Sequence, residues 1–572
     1  MLLDKAMYTK EPQHVYRSSV KITIPRNINL TELLHTSACT PPLPPSHLIA
    51  KDNLTNRSLT LGELRSRAGR LAKGLRCVLD AQDGHRHAII IPNSVDYIET
   101  FHAVLWTGGV ACPINHALKP AEIAHGLCVS RPHIVIVYGE VLPKVEQAIE
   151  IARNALQKEG TVWKRPQVIT AGKKVKGYKH LPQDLMAETS LPIPHWEDTS
   201  TRLASIHLSS GTTGLPKGAQ LTHYNFVANC HQLYAHDPKQ FHKASRTVAF
   251  TPFVHIGMTT MPLFFGPWTG MMHHAMPSFD LETFGQLVQS NSATSFQGVP
   301  SIVLALAHTD ICEKYDFSSA QIINCGGAPF KQDLMDRLLS RAPWKPIQLY
   351  GMTEAAPFIA YQRLDEDLPD GVVGHLLPNI EAVLKQENST HDANKGGPGE
   401  LWIRGPNLFQ GYAFNEEANR KAFPIPGWYN TGDICTITET GLISIVGRTK
   451  ELIKYKNFQI SPTELEAYLN SHPYVAEAGV AAVWEEDQLT ELPIAYVVLK
   501  KLFTTLSEKV CALRQIHKDI NDQVSGYKKL RGGVWEVTRI IRNPTGKILR
   551  NRLREYRTGL SSLEDADVKA RL

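Results

Sequence analysis

The sequence is most informative first in what it lacks. Its nine cysteines are odd in number and include no C-x-x-C pair between Cys39 and Cys511. Neither a disulfide framework nor a zinc site is predicted, and a reducing compartment fits better. The opening residues, MLLDKAMYTKEPQHVYRSS, contain no apolar segment of the kind a secretory signal requires, so none is expected. Lys and Arg are missing from 248–279, a stretch long enough to raise the question of a membrane span. Pro252, Pro262, Pro267 and Pro277 interrupt it, so an unbroken helix is not expected. The segment reads as buried loops and short strands lining a cleft, and no membrane span is predicted. Within it, His273-His274 lacks a third ligand or a downstream acid, and no role is assigned to the pair. No repeat of solenoid length is visible.

Net charge is also small, at +6 over 572 residues, but it is unevenly placed. Residues 500–557 hold fifteen Lys and Arg against five Asp and Glu, which leaves the rest of the chain acidic by four charges. A basic C-terminal piece on a mildly acidic body predicts an anionic partner, whose identity the charge leaves open. Nucleic acid is not expected, because no recognised module or basic–aromatic interleaving accompanies the charge. The length exceeds what one core usually supports, so two or more domains are expected.

The N-terminal half alternates apolar runs with helical periodicity. A short amphipathic stretch at 28–34 and a helix over 61–78 precede a strand within 87–94. Helices follow at 97–106 and 121–127, with strands at 111–114 and 133–137. That alternation predicts parallel βαβ units and an α/β fold. The polar stretch 386–398 separates this region from a run with β character. Beyond Gly447 the texture becomes α+β: a helix at 465–469, strands at 476–483 and 493–499, a helix at 510–524 and a strand at 534–541.

Directly after the apolar run 203–208 stands SSGTTGLPKG, residues 209–218. Glycines let backbone amides approach an oxyanion, hydroxyls add donors, and Lys217 adds charge. It is not a Walker A loop, because the G-x-x-x-x-G-K-[ST] spacing is absent. Five further motifs follow in order: Cys325-Gly326-Gly327-Ala328-Pro329; Tyr350-Gly351-Met352-Thr353-Glu354; Tyr429-Asn430-Thr431-Gly432-Asp433; Gly447-Arg448-Thr449-Lys450-Glu451 with Pro462-Thr463-Glu464-Leu465-Glu466; and Asn543-Pro544-Thr545-Gly546-Lys547-Ile548. This set resembles the adenylate-forming superfamily of acyl-CoA synthetases, adenylation domains and luciferases, and within it the 4-coumarate-CoA ligase-like enzymes. The likeness runs from about residue 57 to 557.

The resemblance implies a large AMP-binding domain over 1–446 with the acyl pocket, a hinge at 447–450, and a small mobile catalytic lid over 451–572. It implies ATP, Mg²⁺ and CoA as cofactor and co-substrates, with a small carboxylic acid as partner. Adenylation brings two anions together, and a unit charge at ~4 Å is worth about 4 kcal/mol at an effective dielectric near 20. By resemblance Lys547 bridges the attacking carboxylate and the phosphate. Ser209, Ser210, Gly211, Thr212, Thr213, Gly214 and Lys217 hold the β- and γ-phosphates, Thr353 bonds the α-phosphate, and Glu354 ligates Mg²⁺. Gly326, Gly327, Ala328 and Pro329 belong to the adenine-binding segment, and Tyr350, Gly351 and Met352 are cofactor-binding residues of the Y-G-x-T-E motif. Asp433 takes the ribose hydroxyls, with Arg448 beside it. Lys450 is the hinge, and Lys454 and Gln459 match positions near AMP and the acyl carbonyl.

Asn457 stands where most relatives have glycine, beside the expected thiol tunnel. His255 is a candidate catalytic or pocket-wall residue. Residues 297–300, Gly326, Gly327, Gly351 and Ala355-Ala356-Pro357 are expected to line the acyl tunnel, which suits an aromatic or medium aliphatic acid. The leading expectation is an AMP-forming acid–thiol ligase of secondary metabolism. The alternatives are transfer of the acyl group to a carrier protein or amine, or luciferase-like oxidation of the adenylate. The final residues Ala570-Arg571-Leu572 keep the small-basic-Leu pattern of a peroxisomal import signal, so a peroxisomal protein is expected, the alternative being cytoplasmic.

Overall fold

The computed structural model describes residues 14–209, 215–298, 306, 309–326, 338–340, 344–369, 371–386, 389–448, 452–456, 458–500, 503, 505–541 and 548–563. The βαβ reading of the N-terminal half is borne out. Strand Arg86–Ile90 leads through helix Val95–Trp106 to strand Val110–Pro113. Helix Pro120–Ser130 then leads to strand Ile134–Tyr138, and helix Leu142–Lys158 to strand Gln167–Ala171. The strands are parallel, with Ala88 opposite both Cys112 and Val135, and Ile136 opposite Ile169. Ser94 caps the first of these helices by accepting from the Tyr97 amide, and Pro120 opens the second. Lys217–Thr222 closes the edge of this sheet, antiparallel to Leu203–Ser209.

A second, larger sheet has a parallel half and an antiparallel half. Its parallel strands are Leu48–Asp52, Met272–Ala275, Arg246–Ala249, Ser295–Gly298, Ile322–Cys325 and Lys345–Gly351, in spatial order. From Phe358–Tyr361 onward the pairing is antiparallel, through Val372–Leu376, Leu442–Arg448, Tyr429–Ile437, Gly399–Arg404 and Glu381–Lys385. One core of buried residues runs between the two sheets, from Leu64 and Phe101 through Phe226 and Phe264 to Ile359 and Leu401. Arg448 ends the last strand of the large sheet in chain order, and the next described segment opens at Leu452. The α+β unit follows: a hairpin of Ile453–Tyr455 and Phe458–Ile460, helices Pro462–Ser471 and Leu506–Gln523, and strands Val475–Glu485, Thr490–Leu499, Val534–Val537 and Arg557–Ser561.

Two expectations are corrected. The stretch 386–398 is no separator: it joins strands Glu381–Lys385 and Gly399–Arg404, which pair with Lys385 opposite Glu400. The polar, Gly-rich composition is that of a hairpin connection, which has the same look as a linker. The Lys/Arg-free segment has a continuous helical run at its centre where only loops and short strands are expected. Helix Ile256–Thr259 passes into a π-helix Thr260–Phe265 and then helix Gly266–Thr269, with strand Met272–Ala275 after it. The prolines are accommodated because Pro267 opens its helix and Pro262 falls where the wider π turn replaces the ordinary hydrogen-bond ladder. No helix among the described residues is long and apolar enough to cross a membrane.

Candidate active site

A cavity of about 900 Å³ is walled by both sheets and by the small C-terminal unit. Ser209, Lys217, His255, Gly326, Gly351, Met352, Thr353, Glu354, Asp433, Lys454 and Gln459 all line it. These residues span 250 positions of sequence, so their convergence is a property of the fold.

At one end, Ser209 and Lys217 stand opposite each other across the edge pair, and the glycine-rich loop connects them. Ser209 is buried, and its hydroxyl has no hydrogen-bond partner among the described residues. An unpaired buried polar group costs about 1–3 kcal/mol, so the position makes sense as a donor kept for a bound oxyanion. The Lys217 ammonium lies 5.2 Å from the centre of the Tyr412 ring, which orients it without neutralising it.

Next along the cavity comes a carboxylate pair held by tyrosines. Strand Lys345–Gly351 runs into the short turn Thr353–Ala355, and Gly351 is forced by close approach: a Cβ there would lie 2.3 Å from the Pro357 carbonyl oxygen. Glu354 is buried and accepts a 2.7 Å hydrogen bond from the Tyr412 hydroxyl on Oε1. Burial, and then the charge of Glu354, pushes Tyr412 and Tyr429 well above the ordinary phenol range, so both stay protonated donors. Asp433, also buried, accepts a 2.6 Å bond from the Tyr350 hydroxyl on Oδ2. The strand register sets Arg448 directly opposite Asp433.

His255 stands at the start of helix Ile256–Thr259, is exposed, and lines the cavity. Desolvation by the surrounding protein lowers its pKa, so it is a neutral imidazole near pH 7. Behind it the cavity continues as a tube. Ile322, Asn324 and Gly326 line it from one strand and Ser295 and Gln297 from the neighbour, while the intervening Ile323 and Phe296 face the other core. Of the expected tunnel residues, Gln297, Gly326, Gly351 and Pro357 line the tube. Gly298, Ala355 and Ala356 are not among its walls, because the two-residue period of a strand and the tight turn direct them elsewhere.

The small domain supplies the remaining wall. Lys454 and Gln459 are paired across the hairpin, which is tied down by the Lys454 and Lys456 amides donating to Glu491 Oε2 and Thr490 Oγ1, both at 2.6 Å. A buried ion cluster bridges the domains beside it. Lys528 of the small domain lies 2.8 Å from Glu122, on helix Pro120–Ser130, and 2.8 Å from Glu464 of its own domain. Ser525 donates to Glu122, and the Lys119 ammonium reaches the Asn521 carbonyl at 3.2 Å.

Ser210, Gly211, Thr212, Thr213, Gly214, Gly327, Ala328, Pro329, Lys450, Asn457, Lys547 and Ala570-Arg571-Leu572 lie outside the described residues. Sequence reasoning missed Tyr412, which orients Glu354, and Lys528 with Glu122. Tyr412 carried one signal, in that a Tyr follows the Gly of the β run GELWIRGPNLFQGY. The ion cluster carried none, since its members are 406 positions apart at the widest.

This fold and site define an adenylate-forming enzyme. The sequence profile of AMP-binding enzymes matches residues 44–413, and that of the AMP-binding enzyme C-terminal domain matches 464–547. The chain belongs to that family, and it is an AMP-forming ligase of the acid–thiol type. Its relatives include 4-coumarate–CoA ligase 1 of Petroselinum crispum, 31% identical over 507 residues, covering 87% of this chain and 89% of the relative. A probable 4-coumarate–CoA ligase 3 of Dictyostelium discoideum is 30% identical, over 90% of this chain and 93% of that one. Among solved structures, o-succinylbenzoate CoA synthetase of Bacillus subtilis superposes with a TM-score of 0.73 at 22% identity, covering 93% of this chain and 99% of the other, a likeness of fold.

Proposed function

We propose that the enzyme activates a carboxylic acid, aryl or medium-chain, with ATP and passes the acyl group to CoA. The observation that carries this reading is the single cavity that joins an anion-binding end, a tyrosine-braced carboxylate pair and a long tube closed by the small domain. In the first step a carboxylate oxygen attacks the α-phosphorus, and the bond to the departing pyrophosphate breaks. Ser209 and Lys217 hold the β- and γ-phosphates, Thr353 the α-phosphate, and Asp433 the ribose hydroxyls, being acceptor-only when ionised. Lys547 brings the cation that lets two anions meet. In the second step the thiol sulfur attacks the acyl carbon, AMP departs with the bonding pair, and the thiol proton goes to solvent.

The site fits Mg²⁺ carried in with ATP. Tyr412 holds one oxygen of the buried Glu354 carboxylate at 2.7 Å, and no group of three His, Cys, Asp or Glu forms a protein-only cage among the described residues. One carboxylate completed by phosphate oxygens and water is the usual Mg²⁺ environment, and Glu354 would hold the ion. When bound, the ion offsets charge on the departing phosphates.

Acid-dependent ATP–pyrophosphate exchange over a panel of aryl and C6–C12 acids, read by mass with and without CoA, tests the proposal. Acyl-AMP without CoA and acyl-CoA with it is the expected result. Acyl-AMP that never yields acyl-CoA refutes CoA as acceptor.

The hairpin that carries Lys454 bears on that second step. Tyr455 pairs with Phe458, so its connection has two residues, and the first, Lys456, has φ 52°. Asn and Gly both suit such connections. Asn457→Gly therefore keeps the hairpin, leaves exchange unchanged and alters only thioester formation. Equal effects on both half-reactions would refute a role at the thiol entrance.

We also propose peroxisomal import through Ala570-Arg571-Leu572, supported by the pattern of those residues alone. A fluorescent fusion that blocks the C-terminus turns cytosolic; punctate signal despite the block counts against the signal.

A further inference from the structure

Behind His255 the cavity wall runs on along the strands, and several polar residues line it at the level of Ile322. Along the strand direction four residue steps separate Gly326 from Ile322, both on the wall, which corresponds to about 13 Å. At the Ile322 level the register places Ser295 opposite Ile322, and Thr247 opposite both Ser295 and His273. All four line the cavity.

Two buried polar side chains border the cavity there, and one of them is unsatisfied. Gln240 borders the cavity, is 5% exposed, and among the described residues neither its amide oxygen nor its amide nitrogen has a hydrogen-bond partner. His273 borders it at 1% exposure, with no close partner for Nδ1 among the described residues beyond the backbone of Met271. The two belong to one neighbourhood. The ring of Phe241, next to Gln240, lies 5.0 Å from that of Phe265. At the following residue, Gly266, a Cβ would come within 2.8 Å of the His273 ring, so only glycine admits the imidazole there. Burial lowers the His273 pKa to about 4, which leaves a neutral ring able to donate or accept. A buried amide with both ends unmade is costly in a resting protein and recovers that cost when a ligand supplies the partner.

Resting on the ligase reading above, we propose that the acid carries a hydrogen-bonding oxygen, a hydroxyl or carbonyl, at the end remote from its carboxylate, about ten bonds away, and that Gln240 with His273 recognises it. A site built around a polar substrate group rejects the analogue lacking it far more strongly than an apolar pocket rejects a missing methylene.

The test compares decanoate with 10-hydroxydecanoate, and octanoate and dodecanoate with their ω-hydroxy forms, by ATP–pyrophosphate exchange. The wild-type enzyme is expected to prefer the hydroxy acid of the matching length by tenfold or more in kcat/KM. Gln240→Met should abolish that preference by lowering turnover of the hydroxy acid while leaving the unsubstituted acid unchanged or improved. A wild-type preference below tenfold at every length, or an equal loss on both acids in the variant, overturns the proposal and leaves the ligase reading intact. Exchange with no acid at all overturns both. The wild-type comparison needs no variant, so a Gln240→Met protein that fails to fold does not decide the matter.

Discussion

Glu354→Gln lowers acid-dependent ATP–pyrophosphate exchange by about 100–1000-fold, the range found when one preorganised charge-stabilising group is removed from an active site. The substitution keeps size and shape. Gln Oε1 can still accept from Tyr412, whose hydroxyl sits 2.7 Å from that position. What is lost is one negative charge aimed at the phosphates, and with it the site for a hard cation. Thioester formation from a preformed acyl-adenylate, which needs no pyrophosphate departure, retains most of its rate. The thermal midpoint moves little, because relieving a buried carboxylate of its charge removes a desolvation cost. Exchange near the wild-type rate would remove Glu354 from the phosphate site, and a matching loss in both half-reactions would make its role structural.

Lys528→Met acts on stability. The lysine is buried between Glu122 and Glu464, whose side chains are 3% and 5% exposed. Removing it leaves two carboxylates facing each other without a cation, and breaking a buried pair from one side costs about 3–5 kcal/mol. Burial alone would lower the Lys528 pKa; the charges of Tyr527, Glu464 and Glu122 override it and raise the value. Glu122 likewise resists burial through Lys528 and Ser525, and its pKa falls below the ordinary 4.5. The raised lysine contributes fully below its unfolded value of 10.5 and is lost only as pH rises through its folded value. The depressed carboxylate contributes above 4.5 and is lost as pH falls through its lowered folded value. The stability gap between wild type and variant is therefore constant across neutral pH and narrows in acid. Chemical denaturation at several pH values measures it. The double variant Lys528→Met with Glu122→Gln should recover part of the loss, and no recovery would refute the pairing as the cause.

Much of the architecture was legible because parallel strands buried on both faces read as continuous apolar runs, as Ile134–Tyr138 does with every residue buried. The candidate site was legible through resemblance: six motifs like those of a known family carry described residues that converge on one cavity, from Ser209 to Ile548. The helical wall over 256–269 was not, because Pro262 and Pro267 inside it normally argue against helix, and a π turn is a local solution that composition does not announce. Lys528 with Glu122 and Gln240 with His273 were illegible for a different reason. Their meaning lies in partners, present or missing, that only the folded chain supplies. His273 in particular offered no role in the sequence, since a His-His pair with no third ligand reads as nothing.

The π-helix has a consequence for how this pocket could be reshaped. It holds one more residue per hydrogen-bonded turn than the helices on either side. Deleting a single residue within 260–265 would let the whole segment wind as α-helix. Because the extra residue is confined to the π turn, the helices on either side would keep nearly their present orientation, and the change would fall on the residues of the turn itself. Met261, which lines the cavity from the π turn, would be the wall residue to shift, while Met258 and strand Met272–Ala275 kept their places. A length change, a kind of mutation that most cores reject, could thus act here as a dial on which acids fit.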